Sequence, residues 1–178
     1  PHQAGIDTPE QAHLNLVGFD LKEGIGKQGF ARLMKLWTED ARALCAGEAP
    51  LGTLEPEMVQ QPANLTITCG LGQKVFSLLG VEKPHWLGDV RSFKRDELQR
   101  QWGQSDIVLQ ICCDDPLMNT YALRHMVRAG EHYASVKWLQ QGFINAYGSH
   151  EKGATARNMF GQKDGTCLLY TSDAADER

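Results

Sequence analysis

The sequence contains no long apolar run, no block of like charge and no metal-binding spacing of cysteine and histidine. No stretch approaches the roughly 18 consecutive apolar residues that a membrane span requires, so no membrane-spanning segment is expected. Like charges never run to five, and 18 basic and 22 acidic residues give a net charge of −4. Nucleic acid is therefore not an expected partner, because phosphate-dominated binding needs a basic surface.

The five cysteines and six histidines are scattered along the chain. No cysteine pair has C-x-x-C spacing and no two histidines stand at ligand spacing, so no metal site is predicted from the motifs. Cys112 and Cys113 are adjacent in a strand-like segment, which favours buried free thiols over the alternative, a vicinal disulfide. His125 is interpreted as a hydrogen-bonded core histidine. The other histidines outside strand- or helix-like segments, His2, His85 and His150, are expected to be solvated.

The chain also lacks a nucleophile elbow and a glycine-rich phosphate loop, which removes support for hydrolase and nucleotide-binding functions. What is present is ordinary globular usage, with 42% hydrophobic and 22% charged residues in 178. That length and composition predict a chain that can bury its own core. Because the sequence starts at Pro1 and not at Met, it is expected to be cut or processed.

Residue periodicity predicts four strands and two long helices. Alternation of apolar and polar residues indicates strands over 14–20, 64–69, 105–113 and 133–139. Steps of three and four indicate a helix from Lys27 that ends at Gly47, and a second over 116–129 that ends at Gly130, with Asp114 or Asp115 as its N-cap. A short helix is expected over 75–79, a polar connection from there to Gln104, and a long loop over 141–160.

This order is β-α-β-β-α-β, which predicts an α+β fold of the ferredoxin-like type, with two helices covering one face of a four-stranded sheet. In the second strand Leu65, Ile67 and Cys69 are expected to face inward. The uncovered face is expected to carry Val17, Val108 and Trp138, so it is partly apolar and needs a second layer. Poor solubility or self-association is therefore expected of this chain, and a homo-oligomer is a possible partner state.

Residues 161–166 contain one short motif, Gly-Gln-Lys-Asp-Gly-Thr. One interpretation is a bare turn, because Asp-Gly is a strong turn dipeptide. The other is functional: glycines let the backbone approach a flat ligand, and Asp164 between them could move a proton on that ligand. Spacing alone leaves both interpretations open.

Several short segments, taken in order, resemble the N-terminal half of the dye-decolourising (DyP-type) haem peroxidases. These anchors include the start at 2–11, the strands near 64–68, 106–111 and 136–138, and Arg157-Asn158 leading into G-x-x-D-G-T. Residues 1–166 are most similar to the exported deferrochelatase/peroxidase branch of that family. The resemblance implies an N-terminal ferredoxin-like portion of a longer, two-unit protein, whose C-terminal half is the missing partner.

The resemblance also implies a function and a location. Haem b would lie between the two halves, hydrogen peroxide would be the oxidant, and dyes or other reducing substrates would be the donors, with iron release from haem as a further activity. Asp164 would be the catalytic group, moving a proton between the two oxygens of peroxide. Asp164, Gly165 and Thr166 would contact the haem. The branch is exported, so a periplasmic location is expected.

Two departures from the family pattern bear on activity. Gln162 stands where the family usually has Phe, which is expected to disturb packing beside the motif. The family's proximal His and distal Arg lie well beyond the motif, whereas this sequence ends at Arg178. The fragment itself is therefore expected to be inactive, with no axial metal ligand of its own.

Residues 167–178 resemble translated read-through of a sequencing-library adaptor, and they are interpreted as a non-native tail without fold or function. An ordinary polar C-terminal tail is the alternative. For the chain as a whole, the competing hypothesis is a non-enzymatic ferredoxin-like binding or assembly module, since the fold alone allows either function.

Overall fold

The structure is a computed structural model, which describes residues 8–146, 148–149, 151, 153–155 and 157–163. The described strands are β1 (His13–Leu21), β2 (Thr66–Leu71), β3 (Ile107–Cys113) and β4 (Ala134–Phe143). The helices are α1 (Lys27–Ala46), α2 (Gln73–Leu79) and α3 (Pro116–Gly130), and single 3-10 turns occupy Pro56–Val59 and Arg100–Trp102. The chain divides into two compact units, Pro1–Phe143 and Ile144–Arg178.

The first unit is a four-stranded sheet with the order β2-β3-β1-β4, and every neighbouring pair is antiparallel. The two central strands, β1 and β3, are separated in sequence by a helix and an edge strand. This is the ferredoxin-like arrangement that the element order predicts, and it is confirmed.

The two long helices form where their periodicity places them. Gly47 ends α1 as predicted, whereas Gly130, the predicted stop of α3, lies within that helix and Glu131 caps it. In α1 the buried side chains include Phe30, Leu33, Trp37 and Leu44, and Gly47 closes the helix with φ of 76°. In α3 the Asp115 carboxylate accepts a hydrogen bond from the Met118 N–H at 2.6 Å. Pro116 occupies the first turn, so the predicted cap and start are confirmed.

The core lies between the sheet and these two helices. The expectation that Val17 lies on the uncovered face of the sheet is wrong. Val17 is 1% exposed and belongs to the core. It pairs with Leu109 and Leu139, whereas the next residue, Gly18, pairs with Val108 and Trp138. Since paired residues share a face, Val108 and Trp138 do lie on the outer face, and Val17 lies on the inner one.

The outer face is partly apolar, as expected. One row across the sheet consists of Thr68, Gln110, Leu16 and Gln140. The next row contains Gly70, Val108, Gly18 and Trp138. Polar and apolar side chains therefore alternate on this face.

The limits of all four strands differ by a few residues from the predicted ones, most clearly at β4 and β2. β4 continues to Phe143, so the first three residues of the predicted loop belong to the strand. β2 begins at Thr66, because Ala63 and Asn64 have φ of 48° and 60° and turn the chain before the strand. Leu65 is buried and Ile67 packs against the core. Cys69 pairs with the buried Leu109, so it faces inward as expected, although it is exposed on this edge strand.

The connection over residues 81–104 is irregular. Polar residues predominate in it, as expected, but it also exposes apolar side chains. It presents six large apolar side chains that are each at least half exposed: Val81, Trp86, Val90, Phe93, Leu98 and Trp102. Its end is fixed to β4, where the Trp138 indole N–H donates to the Gly103 carbonyl at 3.0 Å. Among the described residues, no helix combines the length and apolar character needed to cross a membrane.

Candidate functional site

The segment that leads to the candidate carboxylate is a tight hairpin over residues 157–163. Arg157 and Lys163 form an antiparallel bridge, and the Asn158 N–H donates to the Gln162 carbonyl at 2.9 Å. Gly161 has φ of 78°, and its N–H donates to the Asn158 carbonyl at 2.9 Å. A left-handed φ at this position suits glycine, because it has no Cβ. The motif therefore begins inside a turn.

Side chains brace the same hairpin. The Asn158 Oδ1 accepts hydrogen bonds from the Phe160 N–H at 3.0 Å and the Gln162 N–H at 3.2 Å. The Arg157 guanidinium donates to the Gly161 carbonyl at 2.7 Å. These contacts hold the chain up to Lys163. The three residues predicted to act, Asp164, Gly165 and Thr166, lie outside the described residues, and their roles stay predictions.

Gln162 stands in this hairpin where the family usually has Phe. Its side chain is exposed, and the hairpin uses its backbone N–H and carbonyl. Because any residue other than proline supplies those two backbone groups, the substitution leaves the hairpin's hydrogen bonds intact.

The histidine with a defined buried environment is His125 in α3. Its ring is almost fully buried, and Nε2 lies 3.0 Å from the Asp40 Oδ2 of α1, whereas Nδ1 is buried without a hydrogen-bond partner. The expectation of a hydrogen-bonded core histidine is confirmed. His85 is exposed, as expected for a solvated residue, and His2 and His150 lie outside the described residues.

The environments of the histidines show whether the described residues could hold a haem. A haem needs an axial ligand with an open side for the porphyrin. His125, the buried histidine among the described residues, is packed between α3 and α1 at 4% exposure, so it has no open side for a porphyrin. The described residues therefore do not form a haem site by themselves.

Asp106 is a buried carboxylate at the start of β3, and sequence reasoning placed it in a strand without assigning its partners. It accepts hydrogen bonds at 2.8 Å from the Leu21 N–H and from the Lys74 Nζ. The hydrogen bond to Asp106 raises the pKa of the Lys74 ammonium. Asp106 thus joins the ends of β1 and β3 to α2, which is a structural role.

A second set of polar side chains, which sequence reasoning did not identify, links α3 to the strands β1 and β4. The buried Asn15 and Asn119 side chains are hydrogen-bonded, and Asn119 also donates to the His13 carbonyl at 2.9 Å. Gln141 of β4 donates to the Asn15 Oδ1 at 2.9 Å. Because buried amides need partners, this set fixes α3 over the central strands.

The described cysteines are free, and Cys112 and Cys113 lie on opposite faces of β3, so the interpretation as free thiols is confirmed. Cys113 is fully buried. Desolvation raises the pKa of the Cys113 thiol. Thiols with raised pKa values are protonated near neutral pH and are poor nucleophiles or ligands.

Comparison with known proteins gives one consistent match. The family model described as Dyp-type peroxidase, N-terminal, matches residues 3–144. A deferrochelatase from Yersinia pestis bv. Antiqua (strain Nepal516) is 36% identical over 180 residues, which cover 93% of this chain and 41% of that protein.

Solved structures agree with this match. A DyP-type peroxidase from Cellulomonas bogoriensis superposes with a TM-score of 0.87 at 36% identity, over 98% of this chain and 49% of that one. Ferric DtpA from Streptomyces lividans gives 0.84 at 37%, over 92% and 45%. The chain spans less than half the length of these relatives. Because the family model covers most of the sequence and the fold agrees, the chain belongs to the DyP-type peroxidase family.

Proposed function

We propose that this chain is the N-terminal portion of a haem-dependent peroxidase that uses hydrogen peroxide to oxidise dyes or other organic donors. The observation that carries this proposal is the braced hairpin over 157–163, which leads directly to the G-x-x-D-G carboxylate in a chain of the DyP-type peroxidase family. Haem b, once bound with the C-terminal half, would supply the redox chemistry.

In this proposal Asp164 is the acid-base group of the peroxide site. It accepts a proton from one oxygen of hydrogen peroxide and returns it to the other, which makes the second oxygen a better leaving group. Gly165 and Thr166 contribute backbone that approaches the flat cofactor closely, since glycine adds no side chain. The curated relatives named deferrochelatase support release of iron from haem as a further activity. The exported, periplasmic location is proposed from the resemblance to that branch of the family.

The same proposal assigns the rest of the chain. Residues 1–166 form the native N-terminal portion, and residues 167–178 are a non-native tail. The isolated chain is expected to be inactive, because the family resemblance places the axial histidine and the distal arginine in the C-terminal half, which is the partner that completes the site. A homo-oligomer of the complete protein is compatible with this assignment.

The test uses the product of the uninterrupted gene with added haem. A Soret band and peroxide-dependent dye bleaching are expected, and Asp164→Asn should remove the bleaching while the Soret band stays. Glu23→Gln changes an exposed carboxylate in the first unit and serves as the matched control, with bleaching unchanged. A complete gene that encodes no downstream axial His and no Arg, or a product that binds no haem, would instead support the non-enzymatic binding or assembly module.

A further inference from the structure

We propose that Asn158 is a positioning residue, which fixes the backbone of the hairpin up to Lys163, the residue immediately before Asp164. This inference rests on the proposed function, because it assumes that Asp164 is the acid-base group. Asn158 itself does not touch the reacting atoms. It acts through the hairpin over residues 157–163.

The first argument is the number of contacts that Asn158 makes within seven residues. Its backbone N–H donates to the Gln162 carbonyl, and its carbonyl accepts from the Gly161 N–H. Its side-chain oxygen accepts from the N–H groups of Phe160 and Gln162. Asn158 therefore closes the hairpin with its backbone groups, and its side-chain oxygen accepts hydrogen bonds from two backbone N–H groups near the tip.

The second argument is that the described contacts of this hairpin include no apolar packing. Met159 and Phe160 at its tip are 88% and 91% exposed. A segment without buried apolar side chains keeps its conformation through hydrogen bonds and turn geometry. The Arg157 guanidinium adds one bond, to the Gly161 carbonyl, but it does not contact the Phe160 or Gln162 N–H groups that Asn158 satisfies.

The third argument is chemical. Proton transfer to peroxide requires the carboxylate within hydrogen-bond reach of the proton, and small displacements of a catalytic group have large effects on rate. Lys163, the residue bridged to Arg157, is joined by a peptide bond to Asp164. Fixing Lys163 therefore limits the positions from which the carboxylate can be presented.

The first experiment measures amide hydrogen exchange on the present chain. Asn158→Ala removes the side-chain acceptor, so exchange at Phe160 and Gln162 should become about tenfold faster, as expected for the loss of one hydrogen bond. Asn158→Asp keeps an acceptor oxygen and should retain the slower exchange. Asn145→Ala, an exposed asparagine in the same unit, is the matched control and should change neither amide. Unchanged exchange in Asn158→Ala would overturn the proposal.

The second experiment uses the haem-loaded product of the uninterrupted gene. Asn158→Ala should lower kcat for peroxide-dependent bleaching about tenfold with an unchanged Soret band and Tm, and Asn158→Asp should restore most of it. If Asp164→Asn abolishes bleaching but Asn158→Ala does not lower it, the positioning role is wrong and the proposed function stands. If Asp164→Asn has no effect, the proposed function fails, and the exchange data still report on the hairpin.

Discussion

Buried polar residues in this chain connect elements that are far apart in sequence. Asp106 is 6% exposed, and its carboxylate satisfies the Leu21 N–H and the Lys74 ammonium. The lysine is largely exposed, so its ion pair with Asp106 adds little stability. The backbone N–H of Leu21 matters more, because an unpaired donor at this partly buried position loses its hydrogen bond without full compensation from water.

Replacement of Asp106 by alanine should therefore lower the free energy of unfolding by about 2 kcal/mol, the usual cost of leaving a buried donor unpaired. Urea unfolding at low protein concentration measures the change. Asp89→Ala is the matched control, because Asp89 is exposed and makes one exposed side-chain hydrogen bond, to Gln73. That variant should lose no more than about 0.5 kcal/mol. Equal losses in the two variants would show that the buried position of Asp106 has no special effect.

For the pair formed by His125 and Asp40, the burial of one residue was predictable from the sequence, but the contact between the two was not. Periodicity placed His125 on the buried stripe of its helix, but it did not identify the partner. A signal was present, because Asp40 lies three residues after Trp37 and four before Leu44, on the buried stripe of α1. A charged residue on an apolar stripe predicts a buried partner on the facing helix, although sequence alone does not give the crossing that brings the two together.

At the scale of elements, strands and helices were predictable wherever one periodicity dominated. The order of the sheet followed from the order of the elements, since few topologies satisfy the rules for connections. The face assignment of Val17 failed because a strand's alternation gives two sets of residues without saying which set is covered. That choice depends on where the helices pack, and Phe19, on the same face as Val17, stacks against Trp37 with ring centroids 5.1 Å apart.

On the outer face, the Trp138 side chain lies over Gly18 of the neighbouring strand, and the Val108 side chain lies over Gly70. A Cβ added at Gly18 would lie 2.4 Å from the Trp138 ring, so Gly18 leaves the space that the indole occupies. The strand register also shifts between Gly18 and Phe19. The indole position matters for the rest of the fold, because its N–H holds Gly103 at the end of the 81–104 connection.

Gly18→Ala should therefore destabilise the first unit by about 1–3 kcal/mol, the usual cost of overpacking a filled site. Gly88→Ala is the control, because a Cβ there meets nothing within 4 Å. Thermal unfolding followed by far-UV circular dichroism compares the two variants, and the Gly88 variant should match the parent chain. A Gly18 variant as stable as the parent chain would mean that the indole has room to move.

At the scale of the whole molecule, the family could be identified from the sequence, whereas the complete site could not be built from it. The anchors that carry the resemblance are spread over the chain, and the family match over residues 3–144 confirms the resemblance for that range; the anchors at 157–166 lie beyond it. The catalytic proposal depends on Asp164, which follows the described hairpin, and on the axial His and the Arg that the family resemblance predicts in a C-terminal half. The fold alone does not imply a function, so the site has to be tested directly.

The apolar surface of the 81–104 connection gives the last prediction. Sequence reasoning attributed self-association to the outer sheet face, but that face mixes polar and apolar residues, and six exposed large apolar side chains lie on the connection. The chain should therefore associate at micromolar concentration in sedimentation velocity, and Trp86→Ser with Val90→Ser and Leu98→Ser should shift it toward the monomer.

Those three residues are 72%, 77% and 72% exposed, so their replacement should leave the core and the Tm unchanged. The control replaces three exposed leucines elsewhere, Leu51, Leu54 and Leu117, by serine. If both triple variants reduce association equally, general surface hydrophobicity is the cause, and the connection has no special part in it. If the parent chain sediments as a single monomeric species, the exposed side chains do not drive association, and the prediction is wrong.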